Sequence, residues 1–108
     1  MKKRNWLVED NLVAMYVALY KYKDLHYRAR DIHRIIPLSG FPMRVQNYKA
    51  IATNGRHGLT AGLKSPLFNE LFSLFKSMPQ KKFAALVNSV LRVRSEVDRY
   101  ARTLDGTR

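Results

Sequence analysis

The sequence predicts an all-α protein, in which a three-helix unit of helix-turn-helix type is followed by two further helices, the last of them long. Apolar residues recur at the three- and four-residue spacing of helix faces. The 108 residues contain five such segments, and prolines or glycines separate all of them except the first two. The chain contains no cysteine, which excludes a disulfide-stabilised fold. The predicted helices cover residues 7–23, 28–36, 42–53, 67–78 and 80–104.

The first two helices are predicted from their apolar faces. In the first helix, Leu12, Met15 and Leu19 follow the spacing of one face. The second helix is short, and Ile32 and Ile35 form its apolar edge. A proline follows its last turn, where it cannot continue the helix.

The third helix is delimited by Pro42 at its start and by the pair Asn54-Gly55 after its end. With a rotation of about 100° per residue, one face is predicted to meet the core and the opposite face to be free. The inward face consists of Phe41, Val45, Tyr48 and Ala52. The outward face consists of Met43, Gln46, Asn47 and Ala50. Residues 54–64 then hold three glycines and two long basic side chains, which suit either close approach to a phosphate backbone or an ordinary connector.

The fourth helix is introduced by Ser65-Pro66, a capping residue followed by a proline at the first helical position. Its apolar stripe is too wide for a lone surface helix and must pack on the body or on a partner. The fifth helix has heptad spacing, which indicates either a coiled coil between copies or a packing stripe within the chain. We favour a homodimer. The predicted dimer seam consists of Phe83, Leu86, Val90, Val93, Val97, Tyr100 and Leu104.

The charge of the chain is strongly positive. There are 20 Lys and Arg residues against 8 Asp and Glu residues, which gives a formal net charge of +12. A surplus this large on a small chain indicates a polyanionic partner such as DNA, RNA or an anionic membrane face. We expect residues 1–64 to form a basic nucleic-acid-binding unit and residues 65–108 to form a helical hairpin with the dimerisation helix.

The composition excludes several classes of protein. An apolar fraction of 46% is enough to build a core, which excludes a generally disordered chain. No run of 18 apolar residues is present, so we expect no membrane span and no membrane partner. Glu9 and Asp10 interrupt the first apolar stretch, which argues against a secretion signal. We therefore expect a cytoplasmic protein.

Nothing in the sequence favours catalysis. His26, His33 and His57 belong to no metal-binding motif, and no phosphate-binding glycine motif is present. The carboxylates form neither a catalytic pair nor a nuclease cluster. We therefore expect a protein that is not an enzyme and holds no cofactor and no metal.

The layout of the first three helices favours DNA binding. A short second helix, a tight turn and a third helix fit the helix-turn-helix motif, in which the third helix enters the major groove. There, the amides of Gln46 and Asn47 can bond adenine, and Met43 can contact a thymine methyl group. Basic residues are expected to contact phosphates and fix the register. The predicted interface consists of Lys2, Lys3, Arg4, Arg28, Arg30, Arg34, Met43, Arg44, Gln46, Asn47, Lys49, Arg56, His57 and Lys64.

Several local motifs resemble a known family. In the first helix they are the run Trp6-x-x-Glu9-Asp10-Asn11-Leu12, Ala14 and Leu19-Tyr20. The others are Asp31-Ile32, Ser39, Met43-Arg44-Val45, Asn47-Tyr48, Gly58-Leu59 and the stretch from Ser65 to Phe75. Together they resemble the Myb/SANT-like domains that precede the catalytic module in some HNH-family endonucleases. The resemblance implies a DNA-docking role around Arg44 and Asn47. Because the chain carries no HNH module, the resemblance implies no cleavage activity.

The leading hypothesis is a dimeric, non-enzymatic protein of a bacterium or its virus that binds double-stranded DNA. Two alternatives stay open. One is a protein that docks on a nucleic-acid-processing protein of the host and inhibits it, with Phe68, Phe72 and Phe75 as exposed anchors. The other is an RNA-binding protein. Its stacking surface would consist of Tyr20, Tyr22, Tyr27 and Tyr48.

Overall fold

The computed structural model describes residues 7–36, 40–58, 63 and 65–106, and these residues form five α-helices and no strand. The helices are α1 (Val8–Tyr20), α2 (Ala29–Ile35), α3 (Phe41–Ala52), α4 (Pro66–Phe75) and α5 (Gln80–Gly106). The prediction of an all-α protein is confirmed, and each observed helix starts and ends within about three residues of its predicted bounds. None of the described helices combines the length and the apolar composition needed to cross a membrane.

Backbone conformations at single residues set the ends of α1 and α3. Lys21 has a φ of 57°, so α1 ends at Tyr20, before the predicted end. After α3, Asn54 takes a left-handed conformation with a φ of 56°. Its amide donates to the carbonyl of Ile51, and the amide of Gly55 donates to the carbonyl of Ala50. This is the Schellman pattern expected from an Asn-Gly pair after a helix.

The first helix lies at the centre of the molecule. Every residue from Asp10 to Val17 is buried, so α1 is covered on all sides rather than on the single face that the spacing predicted. Helices α3 and α5 both pack on α1, α4 packs on α3, and α2 packs on α5. A helix that is apolar around its whole circumference needs this central position.

One hydrophobic core is shared by all five helices. Leu71 of α4 and Phe83, Val87 and Leu91 of α5 belong to the same buried cluster as the core residues of α1, α2 and α3. The predicted division after residue 64 therefore does not separate two cores. The helix-turn-helix arrangement of the first three helices stays a prediction. In the described packing, the main contact of α2 is with α5.

The aromatic side chains of α4 hold that helix to the body. The ring of Phe68 lies 5.0 Å from the ring of Tyr48, and the ring of Phe75 lies 5.9 Å from that of Phe83, measured between centroids. Phe72 is likewise half-buried against the core. The expectation that Phe68, Phe72 and Phe75 are exposed anchors is therefore wrong, since aromatic pairs inside the fold hold Phe68 and Phe75.

The role of α5 in the core can be tested with two leucines. Leu91→Ala should lower the free energy of unfolding by about 2–5 kcal/mol, because Leu91 is fully buried and its truncation leaves a cavity. Leu74→Ala should change it by less than about 0.5 kcal/mol, because 68% of Leu74 is exposed. Urea denaturation followed by circular dichroism measures both values. Equal losses would show that α5 is not packed as described.

Candidate nucleic-acid interface

The chain between Asp31 and Glu70 contains no acidic residue. This stretch includes all of α3 and the described loop at residues 53–58. Its described basic residues are Arg34, Arg44, Lys49 and Arg56. A surface built from such a stretch has no acidic side chain of its own to neutralise the cations, which is the electrostatic pattern of a nucleic-acid contact.

Only part of the predicted outward face of α3 reaches solvent. Met43 is 60% exposed and Gln46 is exposed, as predicted. Asn47 and Lys49 are half-buried, and both can contribute polar atoms at the edge of this face. Ala50 is fully buried, so its predicted place on the outward face is wrong, and Ala52, predicted on the inward face, is exposed at the end of the helix. The accessible face is therefore the first half of α3.

The loop at residues 53–58 covers the second half of that face. Gly58 has a φ of 84°, and a Cβ atom at this position would lie 2.9 Å from the backbone nitrogen of Ala50 and against the carbonyl oxygen of Gln46. Only glycine allows both this conformation and this approach. The loop therefore lies directly on α3, and its backbone buries Ala50.

Hydrogen bonds of Thr53 also hold the loop, with two predicted interface residues, beside α3. The hydroxyl of Thr53 donates to the carbonyl of Lys49 at 2.8 Å and accepts from the backbone amide of His57 at 3.0 Å. Arg56 and His57 are both exposed. The loop therefore holds one permanent cation and one imidazole at the C-terminal end of α3, where they line a pocket with Ala52.

The other predicted cations divide into two groups. Arg28, Arg30 and Arg34 are exposed at and along α2, and the carboxylate of Asp31 accepts from the backbone amide of Arg28 at 3.1 Å. That hydrogen bond caps α2, so the acid is used within the helix. The remaining predicted interface residues, Lys2, Lys3, Arg4 and Lys64, lie outside the described residues.

Arg44 is the predicted interface residue that the structure places elsewhere. Its Nη1 donates to Oδ1 of Asn11 at 2.8 Å, and its guanidinium carbon lies 5.1 Å from the centre of the Phe68 ring. Burial lowers the pKa of Arg44, against the opposing effects of Tyr48 and Asp10. The half-buried side chain of Arg44 is therefore part of the packing between α1, α3 and α4, and its contact with phosphate or guanine stays a prediction.

A buried polar cluster surrounds Asp10, and we call it the Asp10 cluster. Nη1 of Arg94 lies 2.5 Å from Oδ1 of Asp10, a residue with no exposed surface, and Oδ2 of Asp10 accepts from the amide of Leu7 at 3.0 Å. Next to Asp10, Asn11 accepts a hydrogen bond of 3.1 Å from the hydroxyl of Tyr48. Burial raises the pKa of that hydroxyl well above its usual range. The cluster consists of Asp10, Asn11, Arg44, Tyr48 and Arg94.

The Asp10 cluster joins helices and does not form an open site. Asp10, Asn11 and Tyr48 have at most 2% of their surface exposed, so their polar atoms face other protein atoms. The burial of Arg94 was not predicted, because its position among other charged residues is typical of a solvated surface. Its spacing from Phe83, Val87 and Leu91 places Arg94 on the buried face of α5. This spacing is the feature of the sequence that indicates its burial.

The predicted dimer seam divides into a buried and an exposed part. Phe83 is fully buried in the core of its own chain, so it is not available to a second copy. Leu86 and Val90 are half-buried. The exposed part consists of Val93, Val97, Tyr100 and Leu104, whose exposed fractions lie between 46% and 70%. The first half of α5 is thus an internal packing helix, and the exposed apolar stripe lies in its second half.

A groove that the sequence analysis did not find lies between α5 and the segment at residues 24–27. Its volume is about 560 Å³, and Lys81 and Arg92 of α5 and His26 of the segment are among its lining residues. The two sides are far apart in sequence, so no local pattern indicates that they meet. Among the described residues, no three His, Asp or Glu side chains come together as metal ligands.

The chain matches no protein-family model, no curated protein and no solved structure. The resemblance to Myb/SANT-like domains therefore stays an expectation drawn from sequence motifs. Several residues of those motifs, among them Asp10, Asn11, Arg44 and Tyr48, belong to the Asp10 cluster. Their role in this structure is to join helices.

Two ion pairs of α5 test the energetics of the Asp10 cluster. Asp10→Asn should lower the free energy of unfolding by about 3–5 kcal/mol, because Arg94 would then be buried without a counter-charge. Glu96→Gln removes the exposed pair between Glu96 and Arg92 and should cost less than about 1 kcal/mol. Urea denaturation at neutral pH measures both. A small loss for Asp10→Asn would contradict the burial of this pair.

Proposed function

We propose that the protein binds double-stranded DNA without catalysing a reaction, through the exposed first half of α3 and the loop that packs on it. The observation that carries this proposal is the contact of Gly58 with the backbone of α3. That contact holds the loop that carries Arg56 and His57 against α3, in a stretch of chain without acidic residues. On this proposal, base-reading groups of α3 act together with phosphate-binding groups of the loop.

The division of roles follows from the chemistry of the exposed groups. Gln46 carries an amide that can pair with an adenine edge in the major groove, and Met43 has an apolar end suited to a thymine methyl group. In helix-turn-helix proteins the N-terminal residues of the recognition helix contact the bases. This agrees with a helix whose second half is covered by its own loop. Arg56, with the exposed cations of α2, supplies phosphate contacts.

We also propose that the second half of α5 binds a second copy of the chain. Its exposed stripe of Val93, Val97, Tyr100 and Leu104 has alternating spacings of four and three residues, which keep a seam directed toward a partner helix. Residues 93–106 hold three basic and three acidic side chains, whereas the whole chain has a net charge of +12. Because its positive and negative charges balance, this segment of one copy is not repelled by the same segment of a second copy.

RNA binding is a second candidate, favoured by one exposed aromatic residue. Tyr22 is 39% exposed and lies between Lys21 and Lys23, which are also exposed. Aromatic rings beside cations can stack unpaired bases. Tyr48 is fully buried, so its predicted part in an RNA-stacking surface is wrong. The cytoplasm of a bacterium, or of the host of its virus, is the location that this proposal assumes.

The proposed function is tested by titrating the protein into labelled duplex DNA at several salt concentrations. If six or more phosphates are neutralised, raising the salt from 50 to 200 mM should weaken binding on the order of a thousandfold. Competition with single-stranded RNA distinguishes the binding of duplex DNA from RNA binding, the second candidate function. Binding that does not depend on salt would remove both nucleic-acid proposals.

The same titration tests the reading surface. Gln46→Ala should reduce the preference between duplex sequences by about 1–3 kcal/mol, because the amide is lost from the base contact. Arg56→Ala should weaken binding to all sequences about equally. Ser73→Ala, which changes an exposed polar side chain on α4, is the control. Unchanged sequence preference in Gln46→Ala would contradict the choice of α3.

Self-association is tested with Val97→Asp and Tyr100→Asp. Each places a carboxylate in the exposed stripe and should raise the dimer dissociation constant at least about tenfold, because a charge must then lose its water at the seam. Leu74→Asp changes an equally exposed leucine outside the stripe and should leave the dimer intact. Analytical ultracentrifugation over a concentration series gives the constants. A wild-type chain that stays monomeric at high concentration would refute this proposal.

A further inference from the structure

The groove along the first half of α5 is a built feature of the fold, and we call it the α5 groove. Its far wall is the segment at residues 24–27, and its floor is one side of α5. Oδ1 of Asn88 accepts from the amide of His26 at 2.8 Å, and Nδ2 of Asn88 donates to the carbonyl of Asp24 at 3.1 Å. The oxygen and the nitrogen of the Asn88 amide therefore both form hydrogen bonds between α5 and the segment at residues 24–27.

A second amide fixes the end of the same wall. Nε2 of Gln80 donates to the carboxylate of Asp24 at 3.0 Å and to the hydroxyl of Tyr16 at 2.7 Å. That hydroxyl in turn donates to the carbonyl of Lys23. Asp24 is the acid in the lining of the groove, and its carboxylate is thus engaged by a donor from α5. The shape of the groove does not depend on a ligand.

The floor of the α5 groove is made of small side chains with a cation near each end. Ala84, Ala85 and Ser89 lie between Lys81 and Arg92. Lys81 and Arg92 are separated by eleven positions, which corresponds to about 16 Å along the helix axis at 1.5 Å per residue. Small side chains allow a ligand to approach the helix closely. The spacing of the two cations is too large for them to share one phosphate group.

We propose that the α5 groove binds the sugar–phosphate backbone of one nucleic-acid strand, as a contact separate from α3. An extended polyanion can place one phosphate at Lys81 and another at Arg92 while its chain runs over the small residues of the floor. Tyr27 and His26 in the far wall supply rings beside the strand. Cationic grooves with aromatic walls are the general form of sites that follow a strand.

The acidic neighbour of Arg92 does not close the site. Glu96 lies 3.7 Å from Arg92, and both side chains are more than half exposed. Exposed pairs of this kind contribute little because water screens them. A phosphate group can therefore replace Glu96 as the partner of the Arg92 guanidinium. The inference rests on the proposed function only for the class of ligand, and it does not need α3 to contact DNA.

Paired substitutions on α5 test the proposal by binding to labelled duplex DNA and to a labelled single strand. Lys81→Ala combined with Arg92→Ala should weaken binding on the order of tenfold or more near 100 mM salt, and should reduce the slope of log K against log salt by about 1.8 for duplex. The control combines Lys82→Ala with Arg99→Ala, which removes the same charge from exposed positions outside the groove lining. Equal effects of the two pairs would overturn the proposal.

A charge placed on the floor provides an independent variant. Ser89→Glu adds a carboxylate inside the groove and should weaken binding at least about tenfold, whereas Ser73→Glu adds the same charge at an exposed position of α4 and should have a much smaller effect. Both serines are exposed, so neither change disturbs the core. Thermal denaturation confirms that both variants fold. A Ser89→Glu protein that binds as well as Ser73→Glu would overturn the proposal.

Amide NMR spectra of the whole protein locate the contact directly. Adding a short single-stranded oligonucleotide or a duplex should shift the signals of His26, Tyr27 and Ser89. Shifts confined to residues 43–57 would overturn the proposed contact at the α5 groove while supporting the proposed function. Shifts confined to the groove would support this inference and refute the α3 surface. Inorganic phosphate alone should shift the groove signals only weakly, and saturation by phosphate would overturn the choice of an extended strand.

Discussion

The buried ion pair between Asp10 and Arg94 is the constraint on which the arrangement of the helices depends. Asp10 lies in the first turn of α1, the central helix, and Arg94 lies in the middle of α5. The adjacent Asn11 accepts hydrogen bonds from Arg44 and Tyr48 of α3. Three helices therefore meet at two neighbouring residues. Because a buried charge without a partner is strongly unfavourable, an arrangement that separates these groups is disfavoured.

This constraint also determines which cations are available to a ligand. Arg94 is buried and half-buried Arg44 is bonded to Asn11, so the fully exposed positive charge comes from other residues. On α3 the accessible surface is the first half of the helix, and cations are present both on the helix, at Lys49, and on the packed loop, at Arg56. On α5 the properties change along the length of the helix. Its first half contributes to the core and to the α5 groove, and its second half carries an exposed apolar stripe with balanced charges.

The positions of the helices follow from local sequence, and the candidate site does so only in part. Pro79, Ser65-Pro66 and Asn54-Gly55 act on the backbone beside them, so the predicted bounds agree with the observed ones. The exposure of Met43 and Gln46 was likewise predicted from spacing along one helix. The burial of Ala50 could not be predicted in this way, because it results from Gly58, which lies eight positions later and takes a backbone conformation suited to glycine.

The amino-acid sequence by itself determined that this chain is helical, where its helices lie to within about three residues, and that its charge is strongly positive. These properties depend on neighbouring residues or on composition. Only the tertiary structure decided that Arg94 is buried, that Phe83 belongs to the core and that Lys81 lines a groove with His26. Each of these outcomes depends on which helices meet, and α5 meets α1 and the segment at residues 24–27 across more than fifty positions of chain. A spacing pattern identifies the faces of a helix, whereas packing decides which of those faces water can reach.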